Sequence, residues 1–399
     1  MRPFRNVACV VAVLIAAGCQ VTPPAPPPRA PPTPTPAPRV QFTAVSFAAL
    51  PGWADDDLAA AWPALLIGCR ALIASARSQA IWQPPCAVAQ LVDGRDRQAV
   101  RRYFEGYFTP YRVSDGDGAD TGLVTGYYEP QLAGSRVSTP DYLVPLYGVP
   151  DDLLTVDLGD LYPELKDKRV RGRVDGRRVV PYWPRADIER GKAPLDGKAL
   201  AFVAQPIDAF FLQIQGSGRI KLPDGVSMRV GYADQNGHPF RSIARVLIDR
   251  GDLAPERASK QGIEAWGRAN PDKLPALLDE NPSYVFFREV PAPAPGTLDA
   301  AIDGPIGSLG VPLLAQRTIA VDPRTIPLGA PVFLATTFPL SSQPLLRLTL
   351  AQDTGGAIRG AVRADYFWGF GDDAGREAGR MRQEGRMWLL WPKDAPPPG

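Results

Sequence analysis

The chain has 399 residues, 45% hydrophobic and 22% charged, an ordinary globular composition with room for two domains at roughly 100–200 residues each. Lys and Arg number 44 against 42 Asp and Glu, a formal charge of +2, which argues against a nucleic-acid partner gripped by phosphate neutralisation. The single histidine, His238, excludes His-based triads and His-rich metal sites, so any enzymatic proton transfer belongs to carboxylates.

Residues 1–18 read as a signal peptide. Arg2 and Arg5 precede an apolar run from Val7 to Ala17, long enough for an h-region and too short to span a bilayer. Ala16-Ala17-Gly18-Cys19 resembles a bacterial lipoprotein cleavage site that leaves Cys19 lipidated, with Ala16 where Leu is usual; an ordinary signal cut nearby is the other reading. Gln20 in place of Asp implies the outer membrane, facing the periplasm. Residues 19–40 then form a lipid-anchored linker, in which TPPAPPPRAPPTPTPAPR (Thr22 to Arg39) favours polyproline II at ~3.1 Å per residue, a semi-rigid spacer of ~55 Å. Cys9 leaves with the signal, so Cys69 and Cys86 remain in an oxidising compartment, where a disulfide stapling a helical hairpin is expected. Two cysteines and one histidine do not make a structural zinc site, and no metal or cofactor is expected.

Between 55 and 110 the pattern is helical: an acidic start at DDD precedes an apolar run, and Val100, Tyr103 and Phe104 recur at helical spacing. Beyond Tyr111 short apolar or alternating runs are broken by Gly, Pro and Asp, as in GLVTGYYEP, YLVPLYG, TIAVDP, LLRLTLAQD and RMWLLW. That texture predicts barrels or sandwiches with appended helices. AFFLQIQGSGRI reads as a strand with Gln213 and Gln215 on one face, followed by Ser217 between glycines, which would line a polar groove with amide groups. GLVTGYYEPQL offers Tyr127, Tyr128 and Glu129, the last a rival acid; the polar outer face of a strand would explain either segment equally well. A second helical patch lies near 239–279.

Three aspartates stand out near the C-terminal end. Asp322 in AVDPRT suits the first place of a type I turn. Asp353 ends an alternating strand before Gly355 and Gly356, where bare backbone leaves a bulky ligand room. Asp365 in AVRADYFWG shares an extended face with Arg363 and precedes Phe367 and Trp368. Aromatic faces beside an acid suit a sugar, whose C–H face packs on rings while its hydroxyls bond to carboxylates. An Asx turn at Asp353 and an Arg363 pair for Asp365 are the plainer readings.

GYYEP, FLQIQGSG, YADQNGHPF, NPSYVFF, GSLGVPLLAQRTIAVDPRTIPLG and AQDTGGAIRGAVRADYFWG occur in this order, and over roughly residues 45–393 the chain resembles the membrane-bound lytic transglycosylase A family of peptidoglycan enzymes. The resemblance implies a mainly β fold with appended helices: a double-psi β-barrel domain, a second β-barrel domain inserted into it, and a glycan groove between them. The expected division is a helical part at 41–119, an inserted substrate-binding barrel at 120–280, and a catalytic barrel part at 281–395. Asp365 matches the family's catalytic acid and Asp353 its neighbour; Asp322, Gln213, Gln215, Ser217, Tyr127, Tyr128, Glu129 and Trp368 are the expected substrate-binding residues. Implied partners are peptidoglycan glycan strands, the outer membrane through the lipid anchor, and wall-synthesis or divisome proteins. One carboxyl acting as acid and then base requires a raised pKa, which burial and a charged Asp353 would favour and Arg363 would oppose. The alternative is a wall-binding protein without catalysis, on a barrel like that of plant expansin-like proteins.

Overall fold

The computed structural model describes residues 39–396 apart from 163–164 and 166–169; the signal segment, Cys19 and nearly all of the Pro-rich linker lie outside the described residues. The chain opens with strand β1 (Val40–Ala44) and three helices, α1 (Trp62–Ala74), α2 (Gln79–Ala89) and α3 (Arg97–Tyr107). Cys69 on α1 and Cys86 on α2 form a disulfide with Cα atoms 5.5 Å apart. Helix α3 starts where Asp96 caps it, its carboxylate accepting from the backbone N–H groups of Gln98 and Ala99. Val100, Tyr103 and Phe104 are its buried stripe, as their spacing predicts. The chain continues into β2 (Phe108–Asp115) and β3 (Gly122–Glu129).

After Pro130 the chain leaves for a second sheet. Its strands are β4 (Gln131–Ser135) and β5 (Val144–Tyr147), followed by a small separate sheet of β6 (Leu154–Thr155), β7 (Arg171–Asp175) and β8 (Arg178–Pro181). Helix α4 (Arg185–Glu189), β9 (Ala199–Val203), α5 (Pro206–Gln215), β10 (Ser217–Lys221) and β11 (Ser227–Gln235) come next. Helices α6 (Ile243–Asp249), α7 (Lys260–Ala269) and α8 (Leu274–Asp279) precede β12 (Val285–Val290). The order β12-β11-β10-β4-β9-β5 is closed by a parallel bridge between Gly148 and Phe287, so this sheet too is a barrel.

The remaining strands, β13 (Thr318–Val321), β14 (Pro331–Thr337), β15 (Pro344–Asp353), β16 (Ala364–Phe370) and β17 (Arg382–Pro392), with helix α9 (Gly371–Arg380) before the last, return to the first sheet. Its order is β1-β2-β17-β14-β15-β13-β16-β3, and β17 also pairs with β3. That extra pairing closes β17-β14-β15-β13-β16-β3 into a six-stranded ring. Strand β17 reaches three neighbours by dividing its length: Arg382–Gly385 lie on β3, Arg386–Leu389 on β14, and Trp388–Pro392 on β2. The ring and the helices share one core, in which Phe104, Val124, Ile319, Val321, Leu348, Tyr366 and Trp388 are buried. The architecture is the mainly β, two-barrel arrangement expected of a double-psi barrel carrying an inserted domain.

Two details depart from the sequence reading. The segment AFFLQIQ is helix α5, not a strand. Pro206 sits in its first turn and Gly216, at φ +78°, caps its end. Ile207, Phe210 and Phe211 are buried on helical spacing, which outweighs the short alternation of Phe211, Gln213 and Gln215. The seams between barrels also lie elsewhere than 120 and 280. Strand β3 pairs with β16 and β17 in the first barrel, and β12 pairs with β11 in the second, so the crossings fall at Pro130 and after Val290.

Candidate active site

Asp365 and Asp353 are brought together by one residue between them. Ala320 on β13 is the register partner of Asp365 on antiparallel β16 and of Asp353 on parallel β15. On the far side of β16, Thr125 on β3 is the register partner of Asp365. Thr125, Asp365, Ala320 and Asp353 therefore form a row across four strands, and at ~4.8 Å per strand the two aspartate backbones stand ~10 Å apart. A bulge beside Ala320 re-aims Asp353 at the end of its strand. Strand alternation explains which residues share this face. Val124, Tyr128, Ile319, Val321, Ala364, Tyr366 and Trp368 point into the core, and Thr125, Tyr127, Ala320, Asp365 and Phe367 point the other way. Between the two acids the row carries only the small, buried methyl of Ala320.

Asp365 is half-buried, and its Oδ1 accepts a 2.6 Å hydrogen bond from the Thr125 hydroxyl. Burial pushes its pKa above the ordinary aspartate value; Thr125 and the Arg363 charge pull it down, and the Asp353 charge pushes it up. Arg363 forms no ion pair with Asp365. Its guanidinium donates to Thr125 Oγ1 at 2.8 Å, to the Leu123 carbonyl at 3.4 Å and to the Ala364 carbonyl. The feared neutralisation of the acid is thus muted by geometry. Asp353 accepts from the Ser308 backbone N–H at 2.9 Å and the Ser308 hydroxyl at 2.8 Å. Burial raises its pKa as well, against these bonds, the Thr354 N–H and the nearby Tyr127 hydroxyl. The Tyr127 ring packs 5.1 Å from Phe367. Its buried hydroxyl has no hydrogen-bond partner, and burial with the charges of Asp353 and Asp365 holds its pKa well above the phenol range.

The other expected site residues divide. Asp322 follows β13 and has no exposed surface. Its carboxylate takes two bonds from the Arg324 guanidinium, at 2.9 and 2.7 Å, and one from the Gly360 N–H at 2.9 Å. Burial alone would raise its pKa, but these donors hold it below the ordinary value. It fastens the turn leading into Arg363 and Asp365 rather than meeting a ligand; Gly360, at φ +116°, needs its missing side chain there. Glu129 is not a rival acid. It is 1% exposed and paired with Arg219 Nε at 2.7 Å, while the rest of that guanidinium holds Asp303. Trp368 lies three residues beyond Asp365 and so faces the core, its indole N–H donating to the Met381 sulfur at 3.3 Å. Gln213 is buried with its amide oxygen accepting from Arg185 at 2.6 Å. Tyr128 is buried too, and Gln215 accepts from its backbone N–H at 3.2 Å. Gln215 and Ser217 are half-exposed. The sequence reading missed Thr125, which alternates with Tyr127 in the quoted GLVTGYYEP, and Ser308, which no local pattern marks. Among the described residues no group of three or more His, Cys, Asp or Glu is arranged to hold a metal ion.

Residues 123–288 match the MltA specific insert domain and residues 317–391 the 3D domain, the second span holding Asp322, Asp353 and Asp365. The membrane-bound lytic murein transglycosylase A of Escherichia coli K12 is 33% identical over 283 residues, covering 69% of this chain and 66% of that protein. The crystal structure of MltA from Neisseria gonorrhoeae is 40% identical and superposes with a TM-score of 0.78 over 90% of this chain and 94% of that one. E. coli MltA with bound chitohexaose is 27% identical, with a TM-score of 0.65 over 89% of this chain and 95% of that one. With both family domains matched in order and the fold shared over 90% of the chain at 40% identity, this protein belongs to the membrane-bound lytic murein transglycosylase A family.

Proposed function

We propose that this chain cleaves the β-1,4 bond between N-acetylmuramic acid and N-acetylglucosamine in peptidoglycan strands without water, releasing 1,6-anhydromuramyl products as a carbon–oxygen lyase. The observation that carries the reading is the pairing of Asp365 and Asp353 across Ala320, with the Asp365 carboxyl raised towards the neutral form by burial and by the nearby Asp353 charge. Protonated Asp365 gives its proton to the glycosidic oxygen as the bond from C1 of the muramyl sugar to that oxygen breaks. The same carboxylate then takes the proton of the muramyl C6 hydroxyl as its oxygen bonds to C1. The acid is regenerated and no water is consumed. Asp353 stabilises the positive charge that develops at C1, and the Tyr127 hydroxyl lies buried beside the Asp353 carboxylate. Gln215 and Ser217, half-exposed on the inserted barrel, are the substrate contacts retained from the expected set, in a glycan groove between the barrels.

Lipidation of Cys19 and tethering to the periplasmic face of the outer membrane belong to the same reading, with wall-synthesis or divisome proteins as partners. No helix among the described residues is long and apolar enough to cross a membrane. Mass spectrometry of the products released from purified sacculi tests the activity. Anhydromuropeptides support it; reducing ends would indicate a hydrolase, and no release a binder. Asp365→Asn is expected to cut the rate by at least ~10²–10⁴-fold while sedimentation with sacculi is unchanged. Wild-type release from that variant would reject Asp365 as the acid.

A further inference from the structure

The Thr125 hydroxyl lies between Arg363 and Asp365, at 2.8 Å from the guanidinium Nη2 and 2.6 Å from Asp365 Oδ1. An arginine has donors and no acceptor, and a threonine hydroxyl has a single proton. Arg363 therefore occupies a lone pair of Thr125, and the hydroxyl proton is left for Asp365. A 2.6 Å O–H···O contact is in the range of charge-assisted bonds. Arg363 is itself fixed by the Leu123 and Ala364 carbonyls, so the hydroxyl has little freedom to turn. We propose that Thr125, oriented by Arg363, is a positioning residue that reserves Asp365 Oδ1 as an acceptor and makes Oδ2 the atom that gives and takes the proton. In a carboxylic acid the carbonyl oxygen accepts better than the hydroxyl oxygen, so a donor fixed on Oδ1 places the acid proton on Oδ2. The arrangement serves both halves of the cycle, because Oδ1 accepts from Thr125 whether Asp365 is charged or neutral.

The inference rests on Asp365 being the acid and is tested so that the two fail separately. The groups that face Asp365 are Thr125 and Tyr127 on β3, Arg363 on the preceding turn and Asp353 on β15. The full-length protein is assayed on purified sacculi over a pH range as wild type, Thr125→Val, Thr125→Ser and Asp365→Asn, with melting temperatures alongside. Thr125→Val is expected to lower kcat about ten- to a hundredfold with KM nearly unchanged. Loss of the Thr125 donor also raises the Asp365 pKa, moving the alkaline limb of the kcat/KM profile to higher pH. Thr125→Ser restores both. With Asp365→Asn inactive, an unshifted limb and wild-type kcat in Thr125→Val overturn the positioning role alone, as does a serine variant no better than valine. An active Asp365→Asn removes the acid assignment and this proposal with it.

Discussion

Two carboxyls on one sheet face differ in their hydrogen-bond partners, and the proposed roles follow that difference. Asp365 has one hydroxyl donor on Oδ1, whereas Asp353 has both donors of Ser308 on its Oδ1, a set that favours the charged form. Replacing Asp353 by Asn removes a negative charge that raises the Asp365 pKa. The alkaline limb of the rate profile, set by loss of the Asp365 proton, then moves to lower pH, and kcat falls on the order of 10²-fold as charge stabilisation at C1 is lost. A pH-resolved rate measurement on sacculi checks both; an unmoved limb would show the carboxyls to be uncoupled. At this scale the aspartates were legible because each stands beside a strand end or turn residue. The direction of Trp368 was open to the same alternation that places Asp365, since an odd step along a strand reverses the face. Glu129 and Gln213 were misread for another reason: their partners Arg219 and Arg185 are 90 and 28 residues away, and no local pattern announces a long-range buried pair.

Among the elements, the helical hairpin is the part the sequence defined best, because two cysteines behind an expected signal peptide have few alternatives. Its bond closes a loop with a sequence separation of 17, which constrains the unfolded chain by about 3 kcal/mol. The hairpin also reaches β15 from behind, where Gln352, next to Asp353, donates from its side-chain amide to the Ala64 carbonyl at 2.7 Å. Replacing both cysteines by serine is expected to lower unfolding free energy by about 2–4 kcal/mol with anhydromuropeptide release retained below the transition, as denaturant titration and product analysis would show. Helix α5 was the harder element. Its apolar residues fit a helix and a strand over so short a run, and only its ends, Pro206 and Gly216, tip the balance.

For the whole molecule, the informative feature is the joint between the barrels. Arg219 on β10 binds Glu129 at the end of β3 and Asp303 beyond β12, and its guanidinium lies 3.7 Å over the Phe370 ring. One cation thus ties the second barrel to β3 and to β16, the strand that carries Asp365. Arg219→Met leaves the Glu129 carboxylate buried without its partner, at an expected loss of about 3–5 kcal/mol in stability. Adding Glu129→Gln removes the stranded charge and recovers part of it, which chemical denaturation of the single and double variants would measure. The mainly β texture was legible in the rhythm of short strands and turn residues, and the two-barrel plan was what the family resemblance implied. The seams were not, because β3 and β4 are separated by Pro130 alone and composition does not change at the crossing.

Strand β17 closes the ring between β14 and β3 and also pairs with β2, and it follows Asp322, Asp353 and Asp365 in the chain. A nascent polypeptide still lacking residues 382–392 already carries Asp353 and Asp365 but has no complete enclosure to dehydrate them. Such a fragment, or one clipped by a protease before that stretch, would leave the edges of β14 and β3 that β17 covers unpaired. Closure of the ring is thereby tied to synthesis of its last strand, a consequence of the order in which the sheet is threaded.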